Sequence, residues 1–149
     1  MKQILLVLCV LSLGCLPVSA QTMQQRGVPA VVLNAFQQQF PKARDVEWER
    51  MRDGNYEVEF DNGVFGRDNE VIISPEGKLL RHQEDLTSSS LPDAVKKKIK
   101  EEFSEYRVDG ATKVDADGTV TYEVELESRQ GDLKVVFAAD GTVVKERMD

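Results

Sequence analysis

Cysteine is nearly absent from this chain of 149 residues. The only two, Cys9 and Cys15, lie near the start. Histidine and tryptophan occur once each, at His82 and Trp48. These scarcities exclude chemistry. Zinc centres are built from several Cys and His ligands, so one histidine leaves little to hold the metal. A Ser-His-acid triad would have to be assembled on His82. That residue falls on a predicted strand close to Leu80, and no Gly-x-Ser-x-Gly elbow occurs in the sequence. It reads as a half-buried strand histidine. Long apolar runs are scarce too. The one present, Ile4 to Leu16, is shorter than the ~20 residues needed to span a bilayer.

That run follows Lys2 and precedes the small residues Val18-Ser19-Ala20. The pattern is that of a secretory signal peptide over residues 1–20, with cleavage expected between Ala20 and Gln21. Gly14-Cys15 leaves open a lipoprotein signal ending at Cys15, although Ser12 stands where such signals usually carry Leu. The expected location is periplasmic or secreted. Both cysteines would leave with the leader, so the exported chain would rely on its hydrophobic core rather than on disulfides.

A basic excess is also missing. The net charge is −7. Removing the leader takes away Lys2 alone among charged residues and makes it −8. That balance argues against nucleic acid and anionic membrane surfaces as partners.

What the sequence does contain is a repetition. YEVEF, Tyr56 to Phe60, returns as YEVEL, Tyr122 to Leu126. Each copy follows an amphipathic segment that begins near a proline, Pro29 or Pro92. Val28, Val31, Val32, Ala35, Phe36 and Phe40 recur at helical spacing, as do Leu91, Val95, Ile99 and Phe103. Proline is tolerated at a helix start, where its missing N–H has no intrahelical partner to lose. Ser90 with Asp93 resembles a capping box for the second helix.

The period then changes to two. Val46 and Trp48 alternate with Glu47 and Glu49, and Tyr56, Val58 and Phe60 with Glu57 and Glu59. Tyr122, Val124 and Leu126 alternate with Glu123, Glu125 and Glu127. Val71 with Ile73, and Leu133 with Val135 and Phe137, mark the next strand of each half. Leu79-Leu80 and Val143-Val144 begin the last. Asp53-Gly54, Asn62-Gly63, Glu76-Gly77, Asp117-Gly118 and Asp140-Gly141 suit tight hairpins that require positive φ. The fold class is therefore α+β: two tandem repeats, 21–86 and 87–149, each a helix on an antiparallel meander. A unit of about 60 residues is marginal alone. The joint Thr87 to Ser90 is too short for a free tether, so the halves are expected side by side in one layered domain.

The combination resembles the PepSY-like family of secreted bacterial proteins, related in fold to beta-lactamase inhibitory protein. In the first half the likeness rests on Ala35-Phe36, Phe40-Pro41, Val46-Glu47-Trp48-Glu49, Tyr56 to Phe60 and Glu76-Gly77-Lys78-Leu79. In the second it rests on Leu91-Pro92, Ala94-Val95, Tyr122 to Leu126 and Asp140-Gly141. The resemblance implies helices on one sheet face and an open face opposite. It also implies an exported protein that binds or inhibits other proteins, peptidases being the usual suggestion. It carries over no catalytic residue. This chain departs from an even repeat in two places: Val64 to Asn69 lengthen a loop, and Ala111 falls near where Trp48 sits in the first half.

Three patterns compete for chemistry. Asp115-Ala116-Asp117-Gly118 looks like the start of a calcium loop, but its twelfth position falls at Leu126 rather than at a glutamate, which favours a hairpin turn. Lys96 to Lys98 read as a solvated helix face. Glu57 and Glu59 share one strand face ~6.8 Å apart, as do Glu123 and Glu125. At that separation the repulsion in water is only ~0.6 kcal/mol before screening. Paired carboxylates can act as acid and base on a glycoside, but that needs a cleft and unequal environments, which a flat exposed strand lacks. The expected surface is instead acidic and partner-binding: Glu57, Glu59, Glu123 and Glu125, with Phe65 at the rim. No catalytic residue, metal ligand or cofactor is expected. The leading expectation is an exported, non-enzymatic binding module, a peptidase inhibitor or another protein-binding protein, acting through the open sheet face. The alternative is an envelope sensor or carrier binding a small ligand or cation at the acidic face.

Overall fold

The computed structural model describes residues 22–23, 25–62 and 67–148. Residues 1–20, expected to be a leader, and Phe65 lie outside them. After β1 (Thr22–Met23), the first repeat comprises α1 (Ala30–Gln39), β2 (Ala43–Arg50), β3 (Tyr56–Asn62), β4 (Arg67–Ile73) and β5 (Leu79–Asp85). The second comprises α2 (Asp93–Glu102), β6 (Arg107–Ala116), β7 (Thr119–Glu127), β8 (Leu133–Ala138) and β9 (Val143–Met148). Among the described residues, all nine strands form one antiparallel sheet in chain order. The repeats join where β5 pairs with β6, from Arg81↔Ala116 to Asp85↔Thr112.

Both helices cover the same face. Val58 pairs laterally with Val71, Val71 with His82, and His82 with Asp115. Residues directly opposite across strands share a face, and Ala111 shares that face with Asp115 by the two-residue period. Val58 and Val71 belong to the core under α1, Ala111 to the core under α2. The first core gathers Val32, Phe36, Trp48, Val58, Phe60, Val71 and Ile73. The second gathers Leu91, Val95, Ile99, Val124, Leu126, Val135 and Phe137. Helices of ten residues are marginal alone in water. Burial of their apolar stripes holds them in place.

Trp48 is buried as its alternation with the glutamates requires, and its ring meets Phe36 edge-on at 5.2 Å. Ala111 occupies the corresponding lateral position, opposite Val124 as Trp48 is opposite Val58. The glycine turns recur for a reason. Gly77 and Gly141 have φ of 86° and 85°. A Cβ on Gly77 would stand 3.1 Å from the Val31 carbonyl oxygen, and one on Gly141 2.7 Å from that of Ala94. Each β-turn thus abuts the first turn of its repeat's helix, and only glycine satisfies both the dihedral and the spacing.

Two local expectations are corrected. Pro92 is the N-cap of α2, with no side-chain capping bond; Ser90 lies in a preceding 3-10 turn, Ser88–Ser90, and its hydroxyl bonds Thr87 Oγ1 at 2.8 Å. The capping box fails because Ser90 stands two positions before the cap. Val31 is 49% exposed rather than a core residue. It sits on the shoulder of α1, while Val32 and Phe36 point inward.

Candidate functional site

The glutamates of the opening repetition point away from the helices. What they build depends on lateral register. Glu47 lies opposite Glu59, and Glu59 opposite Glu70, so three carboxylates cross β2, β3 and β4 in one row. Glu49 faces Glu57 in the next row. Like charges directly opposite each other destabilise a sheet. The Glu57 carboxyl is pushed above its ordinary value, first by partial burial and then by Glu70, Glu49 and Glu59, with Arg81 opposing.

This face is not flat. A depression of about 500 Å³ opens across it, lined by the carboxylates of Asp45, Glu47, Glu59, Asp61, Asp68, Glu70, Asp85 and Glu123. Among the described lining residues Lys134 is the one cation, and its ammonium lies 2.7 Å from Glu125. At the seam of the repeats, Thr112 donates to Asp85 at 3.1 Å and stands opposite Glu123. The expectation of a flat face is therefore corrected: continuous pairing through β5 and β6 brings strands of both repeats to one hollow.

Of the four expected glutamates, Glu59 and Glu123 meet in this depression. Glu57 stands beside it, in the row with Glu49. Glu125 lines a smaller hollow of about 230 Å³ with Asp109, Glu127 and Asp132. Sequence reasoning missed Glu47, Glu70 and Asp85 as members of the site. Alternation alone could have placed Glu47 and Glu70 on the outer face, but their adjacency required the strand order. Asp45 had no such signal: its φ is 51° at an irregularity between Arg44 and Glu47.

His82 lies on the opposite, helical face. Its Nε2 is 2.9 Å from Asn69 Oδ1, and the buried Asn69 amide donates to the Arg67 carbonyl at 2.8 Å. That second bond orients the amide, so His82 Nε2 carries the proton. The ring contacts Phe40 edge-on at 5.1 Å. Burial lowers the imidazole below its ordinary value of 6.5. Asp117 and Gly118 form the turn between β6 and β7, both with positive φ, and Gly118 N–H donates to Asp115. Among the described residues, no group of three or more His, Cys, Asp or Glu is placed to hold a metal ion. Nor is any described helix long and apolar enough to cross a membrane.

The molecule is a two-repeat α+β protein with helices on one sheet face and an acidic hollow on the other. The chain belongs to the family described as "Putative beta-lactamase-inhibitor-like, PepSY-like", whose model matches twice, over residues 18–81 and 80–145. Among solved structures, it is similar to a DUF2874 family protein from Bacteroides uniformis. The identity is 24%, over 80% of this chain and 88% of that one, with a TM-score of 0.70. A protein of Bacteroides eggerthii described as "putative periplasmic" matches at 22% identity over 81% and 88%, with a TM-score of 0.70. A BLIP-like protein from Bacteroides fragilis matches at 20% identity over 80% and 85%, with a TM-score of 0.67. At these identities the likeness is one of fold. A search of curated proteins returns no match.

Proposed function

We propose that this protein is an exported, non-enzymatic binding module that captures a basic surface of another protein, a peptidase being the leading class. The open sheet face is its working surface. One observation carries the reading: carboxylates from both repeats line a single depression. A cationic partner would complement that charge, and the acidic field would steer its approach. Family membership supports a binding role, and the Bacteroides eggerthii relative described as "putative periplasmic" supports an envelope location. The repeats are taken as 21–86 and 87–149, with the leader cleaved after Ala20.

The test is a quantitative capture from native envelope extract, using wild-type bait against Glu59→Gln/Glu70→Gln/Glu123→Gln bait. Proteins bound through the depression should drop out with the neutral bait and should elute at moderate salt. An identical capture by both baits would place the working surface elsewhere. Intact mass of the protein from its host checks export: an unlipidated chain beginning at Gln21 is expected, whereas a diacylated Cys15 would place the protein on a membrane.

A further inference from the structure

The two borders of the sheet are finished differently. On one side β1 covers Glu49 and Trp48, and the pairing of β2 is irregular between Arg44 and Glu47, where Asp45 has positive φ. On the other side, among the described residues, nothing pairs with the outer edge of β9. An open edge presents a row of backbone N–H and C=O groups, the template on which a further strand is added. The fold itself shows what such an edge accepts. β5 holds in the first repeat the position that β9 holds in the second, and its outer edge is taken by an antiparallel strand, β6. Two of the three large hydrophobic side chains exposed among the described residues also lie on β9: Val144 at 60% and Met148 at 67%.

We propose that the outer edge of β9 accepts a tenth strand from another protein, an extended segment with acidic side chains at alternate positions. The register sets the alternation. Lys145 stands opposite Val136 and Arg147 opposite Lys134, which places both cations on the open face. Glu146 and Met148 stand opposite Val135 and Leu133, on the helical face. A strand continuing the sheet would bring every second side chain beside Lys145 and Arg147. Carboxylates there are the complementary choice.

A second copy of this chain fits poorly. Antiparallel neighbours share faces, so a symmetric pair must centre on a residue opposite itself. The registers with the greatest overlap of β9 centre on Lys145 or Glu146. The first sets lysine against lysine. The second sets glutamate against glutamate, and Lys145 against Arg147 twice. Like charges directly opposite each other disfavour both. The edge favours a foreign strand over its own kind.

Two blocked hexapeptides serve as probes: Thr-Glu-Val-Glu-Val-Thr and its counterpart with both glutamates replaced by lysine. Hydrogen exchange of the Val143–Met148 amides of the full chain reads occupancy of the edge, and sedimentation reads self-association. The glutamate peptide should slow exchange in β9 and bind there about tenfold more tightly than the lysine peptide, as two complementary pairs allow. Lys145→Glu/Arg147→Glu should invert that order, and Lys145→Gln/Arg147→Gln should abolish it. An unchanged far-UV circular dichroism melting transition confirms the fold of each variant; the neutral pair decides if the reversed pair does not fold. Glu59→Gln/Glu123→Gln should leave β9 protection unaltered, which separates this edge from the acidic depression. Equal β9 protection by both peptides, no protection by either, or a wild-type dimer protected at β9 overturns the proposal.

Discussion

Glu57 and His82 are partly buried side chains whose surroundings shift their titration, and they act on stability in opposite directions. A carboxyl raised in the folded state holds its proton more tightly there than in the unfolded chain. Its stabilising contribution is therefore present at low pH and is lost as pH rises through the folded value. Glu57→Gln should raise the melting temperature at pH 7 and leave it nearly unchanged below pH 4; a fall at pH 7 would show that the charge is compensated. His82 has the reverse sign. Its folded value lies below 6.5, so the unfolded chain binds the proton first and stability falls as pH drops below 6.5. The Asn69 bond does not cause this, since Nε2 donates in either protonation state. Glu84 and Asp115 favour the charged ring, Lys113 opposes it, and burial outweighs them. Denaturant titrations between pH 5 and 7 should show this slope in the wild type and a flatter one in His82→Gln. At Trp48, truncation to alanine should cost ~3–5 kcal/mol, and the wild-type emission should be blue and poorly quenched by iodide.

Among the elements, the helix–turn contacts are the most constrained. Gly118 and Gly141 both have positive φ, but a Cβ at Gly118 meets open space while one at Gly141 meets the Ala94 carbonyl. Gly118→Ala should cost about 1 kcal/mol, the usual penalty of the left-handed conformation for a residue with a Cβ. Gly141→Ala should cost clearly more, because backbone must also move. Urea midpoints of the two variants check the order, and equal losses would mean that the turn yields freely. On α2, the lysines expected on a solvated face make ion pairs, Lys97 with Glu101 and Lys98 with Glu102. Such surface pairs are worth little.

For the whole molecule, the two cores are separate clusters joined through a shared sheet. Neither repeat buries enough surface to stand easily alone. Unfolding should therefore be one transition, and Trp48 reports on the first repeat only. Leu126→Ala, in the second core, should cost ~2–5 kcal/mol. It should shift the Trp48 fluorescence transition together with the far-UV circular dichroism transition. Separated transitions would show that the seam from Arg81 to Asp85 does not couple the halves.

The two repeats, the change of period from helix to strand, the inward Trp48 and the outward glutamates are legible in residue order alone. Those are properties of neighbouring residues, and a period of 3.6 or 2 is written along the chain. That Glu59 and Glu123 share a hollow while Glu57 and Glu125 lie outside it follows instead from how the strands assemble. So do the flanking of Glu59 by Glu47 and Glu70 and the approach of Gly141 to Ala94. The reason is that periodicity says which face a side chain takes, but not which strand lies beside it. Lateral neighbours follow from strand order, from register and from the irregularities between Arg44 and Glu47 and between Val108 and Gly110, where the pairing shifts by backbone geometry that no residue pattern announces.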